Sequence, residues 1–364
     1  MKDKAVLGII GTGAISGIYL DNLTAKYPFI QVRGISSAHF ENAEAKARQY
    51  GIKAYTTEDL LQDPEIDAVV ILTPVSAHYG LIRSALQHGK HVYTEKTIAE
   101  TMAQAKELAD IAATEGLYLC SAPDTFLGSS IQTAKKSLED SVIGTVHSFS
   151  ISITRDNDIL TAMFPFLRLA GAGALRDYLV YYLTALVSLL GPVRKVSAFL
   201  KTPYPERMNS LPNTKGYGEK ISTPNEALIS AILELENGII GTINEDNESV
   251  IFDRTDFAVN GKQGILLLGN PNNFGDPVRL LKPDGYQPGT PEVLPMVNPY
   301  GENCRGLGTA EMVDAILKGR KSRTDKEMAM HVLDIIEAME TSAAQERVIH
   351  VRSTCAKPEL FTGF

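Results

Sequence analysis

Short apolar runs alternate with longer stretches of helical composition through the first 121 residues. Runs such as 67–72 (DAVVIL) are apolar without alternation, which is typical of parallel strands buried on both faces. The pattern predicts a first strand around Val6, Ile9 and Ile10 and further strands at 30–36, 53–55, 67–72, 91–94 and 117–121. It also predicts helices at 16–26, 41–50 and 99–114, and one after residue 78 that ends near residue 88. Repeated βα units with short connections predict a parallel sheet with right-handed crossovers.

After Ser121 the pattern changes to strands separated by turns such as Asn237-Gly238, a strong hairpin signal. We expect strands at 145–154, 193–201, 226–236, 238–245, 256–259 and 264–268, helices at 124–139, within 171–190, at 308–318 and at 326–344, and a surface loop at 204–223. The sequence therefore predicts an α/β chain: a Rossmann dinucleotide-binding domain at 1–122, then an α+β domain with a mainly antiparallel sheet at 123–364.

Charge and composition limit the classes of partner and site that the protein is expected to have. The 364 residues carry a net charge of -8 with no basic run, which argues against nucleic acid or anionic membrane as a partner. We see no signal-peptide pattern and no apolar run long enough to span a bilayer. Cys120, Cys304 and Cys355 are odd in number and widely spaced, which favours reduced thiols in a cytoplasmic protein. No metal-ligand spacing and no nucleophile elbow occur in the sequence, so we expect no metal.

The turn after the first strand carries the main nucleotide signal. It consists of Gly11, Thr12, Gly13, Ala14 and Ile15, with Ser16 at the third position of the G-x-G-x-x-G pattern. The first glycine permits the bend, and the second lets the backbone approach a pyrophosphate at the helix N-terminus. So short a pattern also fits a plain strand-to-helix turn, but its place after the first strand of a βα series favours the dinucleotide.

The turn after the second strand bears on the choice of cofactor. It reads Ser36-Ser37-Ala38-His39, where an NAD site would place an acid against the ribose 2′-hydroxyl, and no acid occurs before Glu41. Ser36, Ser37 and His39 would avoid repelling a 2′-phosphate, so NADP is slightly favoured over NAD. The alternative that these are ordinary turn residues is about equally good.

The other strand ends complete a predicted crevice. Thr12, Ser37, Thr73 and the pair Glu95-Lys96 all follow strands, and ligands bind beyond the carboxyl ends of parallel strands. We therefore expect these residues to line one site.

Several motifs together resemble the Gfo/Idh/MocA oxidoreductases. They are the glycine turn 11–15, Thr73-Pro74 with His78, Glu95-Lys96, and the segments 122–128, 181–193, 305–316 and 329–339. The resemblance covers nearly the whole chain. It implies a Rossmann domain followed by a domain with an open-faced sheet, NAD(P)-dependent action on a sugar, inositol or related polyol, and a homodimer or homotetramer formed through that sheet.

The resemblance also assigns catalytic roles. Lys96 would lie beside the nicotinamide and stabilise the developing alkoxide, although Thr97 replaces the proline usual after the Glu-Lys pair. Asp177 and Tyr181 match the family's Asp-x-Gly-x-His/Tyr element, with Leu179 in place of the glycine. Tyr181 would pass the substrate proton while Asp177 holds the lysine cation. The alternatives are a surface lysine and an amphipathic core helix.

Weaker candidates follow. Arg155 and Asp124 are predicted to reach the substrate, although Arg155 with Asp156 would equally make a solvated loop pair. His78 is expected to order the cofactor loop rather than transfer protons. The sequence thus predicts hydride transfer between the nicotinamide and a carbinol carbon. The changes at Thr97 and Leu179 leave open a non-catalytic dinucleotide or sugar sensor of the same fold.

Overall fold

The computed structural model describes residues 3–169 and 171–364, which form two compact units. The first unit contains residues up to 128 together with 302–333 and 361–364, and the second contains 129–301 and 334–360. The predicted division at residue 122 differs from these units, because residues 302–333 return to the first unit. The physical reason is the helix Leu307–Lys318, whose side chains at Leu307, Ala310 and Val313 are buried.

The first unit is built on a sheet of parallel strands. From one edge to the other they are Lys53–Tyr55, Ile30–Ser36, Ala5–Ile10, Ala68–Ile71, His91–Thr94 and Leu119–Ser121. All four residues of Ala68–Ile71 are buried, as the continuous apolar run predicts for a central strand. The Rossmann fold predicted from the sequence is confirmed.

Helices cover this sheet. They are Ser16–Ala25, Phe40–Tyr50, Thr57–Gln62, His78–Gln87, Met102–Thr114 and Leu307–Lys318, and Lys326–Gln345 crosses the unit boundary after residue 333. The core lies between helices and sheet, where Leu60, Val69, Leu86 and Leu108 are all buried. Glycines past the helix ends stop them: Gly51 follows Phe40–Tyr50 in the left-handed region, at φ 65°.

The second unit is built on a mixed sheet. Its strands are, in order, Glu292–Val293, Arg279–Leu281, Gly264–Leu268, Arg254–Gly261, Val146–Thr154, Ile240–Asp246, Leu228–Leu235, Val193–Lys201 and Ile349–His350. Val146–Thr154 pairs in parallel with Ile240–Asp246, and the remaining neighbours are antiparallel. The mainly antiparallel sheet predicted from the sequence is confirmed.

One face of the second sheet is open. In Ile240–Asp246 exposed and buried residues alternate strictly, so one face is buried and the other is in solvent. The helix Ser129–Glu139 packs on the strand Gly264–Leu268 and on the helix Val180–Leu190, and most residues of both helices are buried. The outer face carries small polar side chains together with exposed Phe199, Ile232 and Ile240.

Two predicted helices are interrupted. The helix expected at 124–139 is a 3₁₀ turn, Thr125–Leu127, followed by Ser129–Glu139, because Gly128 has an extended backbone. The helix expected within 171–190 begins as a π turn, Leu175–Leu179, and continues as the α-helix Val180–Leu190.

The loop predicted at 204–223 contains a small hairpin, Glu206–Met208 with Lys220–Ser222. Buried Arg207 anchors it through ion pairs with Asp158 at 2.7 Å and Glu248 at 2.6 Å. Asp158 lies in the helix Asn157–Met163, which the sequence reading missed. Asp156 caps that helix, accepting hydrogen bonds from the N–H groups of residues 158 and 159.

Candidate functional site

The glycine turn of the first unit has the geometry of a phosphate cradle. Gly11 has φ 115°, and a Cβ there would lie 2.7 Å from the carbonyl oxygen of Leu72. A Cβ on Gly13 would meet nothing within 4 Å. The first glycine is therefore required by the backbone itself, and the second leaves open space against the turn.

The N–H groups of this turn are available to an anion. Within the described residues, those of Thr12, Gly13, Ala14 and Ile15 donate no hydrogen bond. The helix Ser16–Ala25 that follows has no side-chain cap and no acid in its first turn. Free N–H groups at the positive end of a helix dipole, beside an open glycine, fit the pyrophosphate of a dinucleotide.

The turn after the second strand is only partly available to a ligand. Ser36 is buried, and its hydroxyl accepts a hydrogen bond from Thr57 at 3.2 Å, so it faces inward. The Ser37 hydroxyl lies 3.0 Å from that of Thr12, and His39 is exposed. Ser37 and His39, not Ser36, are thus the predicted ribose residues with accessible side chains.

His78 links two loops of the first unit. Its imidazole is fully buried, with Nδ1 2.8 Å from the Thr97 carbonyl oxygen and Nε2 2.9 Å from that of Thr73. Burial lowers the pKa of His78, and a neutral imidazole has one N–H, so it donates to one carbonyl at a time. The Thr73 hydroxyl is buried and has no hydrogen-bond partner among the described residues. This geometry suits a residue that orders the loop.

Glu95 holds the peptide of Lys96. One carboxylate oxygen accepts a hydrogen bond from the Tyr19 hydroxyl at 2.8 Å, and the other accepts from the Lys96 N–H at 3.1 Å. Lys96 is half-buried, the Lys96–Thr97 peptide is cis, and the Thr97 hydroxyl donates to the Ala99 carbonyl at 2.9 Å. Tyr19, which is fully buried in the first helix, was not foreseen from the sequence.

Asp124 has a structural task that differs from the predicted contact with substrate. Its carboxylate accepts hydrogen bonds from the N–H groups of Gly306 at 2.9 Å and Gly308 at 3.0 Å, at the start of the helix Leu307–Lys318. Burial raises the pKa of Asp124 to about 6. A Cβ on Gly308 would lie 2.5 Å from the Tyr93 hydroxyl, so glycine is needed for this close approach.

In the second unit, Asp177 lies in the π turn and Tyr181 in the helix that continues from it. Single π turns within α-helices are frequent at functional sites. The N–H of Leu175 donates at 2.9 Å to the Glu226 carboxylate, which occupies the space where a Cβ on residue 173 would stand. Leu179, which replaces the family's glycine, is fully buried in the core. Asp177 and Tyr181 are both half-buried.

Arg155 lies within a polar network of the second unit. Its guanidinium stacks 3.6 Å from the centre of the Tyr178 ring, and its Nε lies 4.0 Å from Asp253 Oδ1. The Tyr178 hydroxyl donates to Asp253 at 2.6 Å and accepts from Asn270 at 2.6 Å. Burial raises the pKa of Tyr178. The loop-pair alternative therefore does not describe Arg155.

Glu245 and Asn247 add buried polar groups that the sequence reading did not single out. They are 2% and 4% exposed, and the Asn247 side chain is the polar neighbour that acts on the Glu245 carboxyl group. Burial raises the pKa of Glu245 to about 8, although the positive charge of Arg155 opposes this shift. The sequence did contain a signal for the burial of Glu245, because alternation along the strand places it on the same face as the apolar Ile243.

Two searches of residues 3–169 and 171–364 gave negative results. No group of three His, Cys, Asp or Glu side chains there could hold a metal ion. None of the helices in that part of the chain combines the length and apolar character needed to cross a bilayer.

An uncapped helix start behind a glycine turn, on a parallel sheet, is typical of dinucleotide-binding proteins. Residues 6–122 match the oxidoreductase family with an NAD-binding Rossmann fold, and residues 131–267 match the GFO/IDH/MocA C-terminal domain. The chain belongs to the Gfo/Idh/MocA oxidoreductase family, as the motifs predicted.

Relatives of known activity match parts of the chain. Levoglucosan dehydrogenase of Pseudarthrobacter phenanthrenivorans is 27% identical over 256 residues, 66% of this chain and 65% of that protein. An inositol 2-dehydrogenase/D-chiro-inositol 3-dehydrogenase of Lacticaseibacillus casei is 36% identical over 107 residues, 29% of this chain and 31% of that protein. The matches therefore span 31% and 65% of these two relatives' length.

A solved structure of levoglucosan dehydrogenase in complex with NADH and L-sorbose superposes with a TM-score of 0.82. The superposition covers 96% of this chain and 99% of that chain at 21% identity. At this identity the likeness establishes the shared fold.

Proposed function

We propose that the protein is an NAD(P)-dependent dehydrogenase acting on a carbinol carbon of a sugar, inositol or related polyol. The observation that carries the proposal is the free row of N–H groups at residues 12–15 beside the open face of Gly13. Membership of an oxidoreductase family and the activities of the levoglucosan and inositol dehydrogenases support the reaction class. The bound nicotinamide supplies the hydride chemistry.

The chain's own residues supply orientation and the proton path in this proposal. Lys96, whose backbone N–H is held by Glu95, stabilises the negative charge that develops on the substrate oxygen. Tyr181 takes the hydroxyl proton, and Asp177 orients the lysine cation. The π turn that carries Asp177 supports this assignment because such turns are frequent at functional sites.

Single-turnover hydride transfer tests the proposal. Lys96→Met and Tyr181→Phe should each lower the rate by roughly 10²–10⁴-fold, the usual contribution of positioned acid–base groups. Asp177→Asn should lose an intermediate factor. Cofactor affinity should change much less, since the cradle belongs to the glycine turn. Lys106→Met and Tyr217→Phe alter exposed side chains and serve as matched controls.

The outcomes separate this proposal from its rival. Full activity in both Lys96→Met and Tyr181→Phe would place the chemistry elsewhere. Cofactor binding without turnover of any polyol in the wild-type protein would favour a sensor of the same fold. Leu179 and Thr97, which depart from the family pattern, would then be the first residues to revert.

For assembly, we infer a homodimer or homotetramer formed through the open face of the second sheet. Phe199, Ile232 and Ile240 are all at least half exposed on that face, with Phe199 at 75%. The small polar side chains around them, such as Ser230 and Thr242, keep the surface flat enough for a second sheet. A monomer in light scattering at micromolar concentration would overturn this inference.

A further inference from the structure

The π turn Leu175–Leu179 starts the helix that carries Asp177 and Tyr181. The first N–H groups of a helix have no acceptor within the helix, and a side chain at the N-cap position usually accepts from one of them. Here the N-cap residue is Ala174, which makes no side-chain hydrogen bond. The start of this helix therefore needs an acceptor from elsewhere in the second unit.

Glu226 supplies that acceptor. Its Oε1 accepts a hydrogen bond from the Leu175 N–H at 2.9 Å. A Cβ on Gly173 would overlap the same oxygen, so a side chain at that position would displace the carboxylate. The positive end of a helix dipole favours an acid. Glu226 is thus a cap that a distant part of the chain provides, with a glycine that makes room for it.

The cap is fixed to the end of the second sheet. Glu226 adjoins Ala227, whose N–H donates to the Lys201 carbonyl at 2.9 Å and whose carbonyl accepts from the Asn247 N–H at 2.9 Å. A cap from the helix itself would satisfy the Leu175 N–H wherever the helix lay. A cap that the sheet carries also fixes the place where the helix starts.

The residues on either side of Asp177 are tied to further elements of the second unit. The Arg176 guanidinium donates two hydrogen bonds to the Glu340 carboxylate, from Nε to Oε1 at 3.1 Å and from a terminal nitrogen to Oε2 at 2.8 Å. Two such bonds fix orientation as well as distance. On the other side, the Tyr178 hydroxyl donates to Asp253 at 2.6 Å. Asp177 therefore lies in a turn that three separate contacts hold.

We propose that Glu226 is a positioning residue for catalysis, which holds the π turn on the sheet so that Asp177 keeps the place its role requires. Arg176 and Tyr178 supply the other two ties. The inference rests on the proposed function and deepens it, because it names a residue that acts on the reaction through Asp177. It also gives a reason for the π turn, a rare conformation that is frequent at functional sites.

A double-mutant cycle separates positioning from a general loss of structure. Glu226→Ala, Asp177→Asn and the double variant are compared in single-turnover hydride transfer to NAD⁺ or NADP⁺. The substrate is whichever of levoglucosan, myo-inositol and scyllo-inositol the wild-type protein oxidises fastest. Glu226→Gln keeps an acceptor oxygen. Glu234→Ala, which removes an ion-paired glutamate from the far end of the strand that follows Glu226, is the matched control. Hydrogen exchange of residues 173–181 is measured on each protein.

The expected result is a loss of rate that disappears once Asp177 is neutral. Glu226→Ala should lower the saturated rate roughly tenfold or more, with the half-saturating polyol concentration and cofactor affinity changed by less than about threefold. Glu226→Gln should lose a smaller factor. The double variant should stay within about threefold of Asp177→Asn, because a displaced Asp177 and a neutral one lose the same contribution. Exchange at 173–181 should rise in Glu226→Ala and not in Glu234→Ala.

Contrary results distinguish this inference from the proposed function. A wild-type rate in Glu226→Ala or in Asp177→Asn, or losses that multiply in the double variant, would overturn the positioning role, while turnover by the wild-type protein keeps the dehydrogenase proposal. Exchange at 173–181 that does not depend on Glu226 would also overturn the positioning role alone. Absence of turnover in the wild-type protein would overturn both. Should Glu226→Ala fail to fold, Glu226→Gln takes its place in the cycle with the same outcomes.

Discussion

The two units differ in the partners of their buried acids. In the first unit, fully buried Glu311 pairs with Arg320 at 2.6 Å and Arg323 at 3.0 Å, and accepts further hydrogen bonds from Ser322 and the Arg323 N–H. In the second unit, Glu245 is almost equally buried, has Asn247 as a polar neighbour and forms no ion pair among the described residues.

The difference teaches that burial alone does not define the role of an acid. A buried carboxylate with a full set of partners fixes the structure around it, and its removal leaves those partners unpaired. A buried carboxyl group without an ion pair loses solvation when it ionises, so its effect on stability depends on its protonation state. Substitution of each of the two acids tests this contrast.

The largest expected effect is on the pH dependence of stability. Burial raises the pKa of Glu245 from 4.5 to about 8 in the folded protein; the charge of Arg155 and a hydrogen bond from Asn247 oppose the shift, and Glu226 and Asp177 add to it. A raised pKa means that stability is highest below about pH 4.5 and is lost as the pH rises through about 8. Glu245→Gln should remove this decrease in the free energy of unfolding, which is on the order of 3–5 kcal/mol.

Urea unfolding of wild type and Glu245→Gln from pH 5 to pH 9 measures this difference. The two proteins should be nearly equally stable at pH 5, and the variant should become progressively more stable than wild type up to about pH 8. A constant difference across the series would contradict the raised pKa.

The second expected effect is a loss of stability in the first unit. Glu311→Leu leaves Arg320 and Arg323 without their shared partner and should lower the free energy of unfolding by about 3 kcal/mol, because both arginines keep some contact with solvent. Denaturant unfolding checks it, with Glu115→Gln at an exposed helix end as the control. A change below 1 kcal/mol, as in ordinary surface substitutions, would remove the contrast between Glu311 and Glu245.

The third expected effect concerns Tyr19 as a positioning residue for Lys96. Tyr19→Phe removes the hydrogen bond to Glu95 and should cost about 1 kcal/mol of stability. It should also lower the turnover rate several-fold at unchanged cofactor affinity, since Glu95 then holds the Lys96 N–H less firmly. Tyr79→Phe is the matched control, because it removes a tyrosine–glutamate hydrogen bond of the same length, 2.8 Å to Glu107, at the surface of the first unit. Equal kinetics in the two variants would refute the positioning role.

The smallest expected effect is on cofactor choice. Because no acid occurs at residues 36–39, we infer that NADP binds at least as tightly as NAD. Ser37→Asp should then shift the preference toward NAD by repelling the 2′-phosphate. Titrations of both cofactors test this, and a wild-type preference for NAD of roughly tenfold, about 1.4 kcal/mol, would contradict it.

Local patterns predicted most of the fold. The buried strands of the first sheet follow from apolar runs such as 67–72, and the ends of many helices follow from glycine, as at Gly51 and Gly191. The return of residues 302–333 to the first unit was not predictable this way, because the pairing of Asp124 with Gly306 joins residues far apart in the sequence.

The site was only partly visible in the sequence, for a similar reason. The glycine turn and Lys96 stand in recognisable motifs, whereas Tyr19 matters through a tertiary contact with Glu95. The hydrogen bonds of Asp124 to a distant helix start were not predictable, because the sequence does not show which backbone N–H groups an acid after a strand will bind. The strand at 238–245 was predicted with Glu245 as its last residue, but the burial of that glutamate was not predicted.

The return of residues 302–333 has a consequence for how the chain is made. A ribosome releases the N-terminal strands and helices long before it adds the helix Leu307–Lys318 that Asp124 caps. Until then the first unit exists without its last helix, with the surface that Leu307 and Val313 later bury still open to water. The first unit therefore reaches its final form late in synthesis, and a fragment cut at residue 128 would keep that unfinished surface permanently.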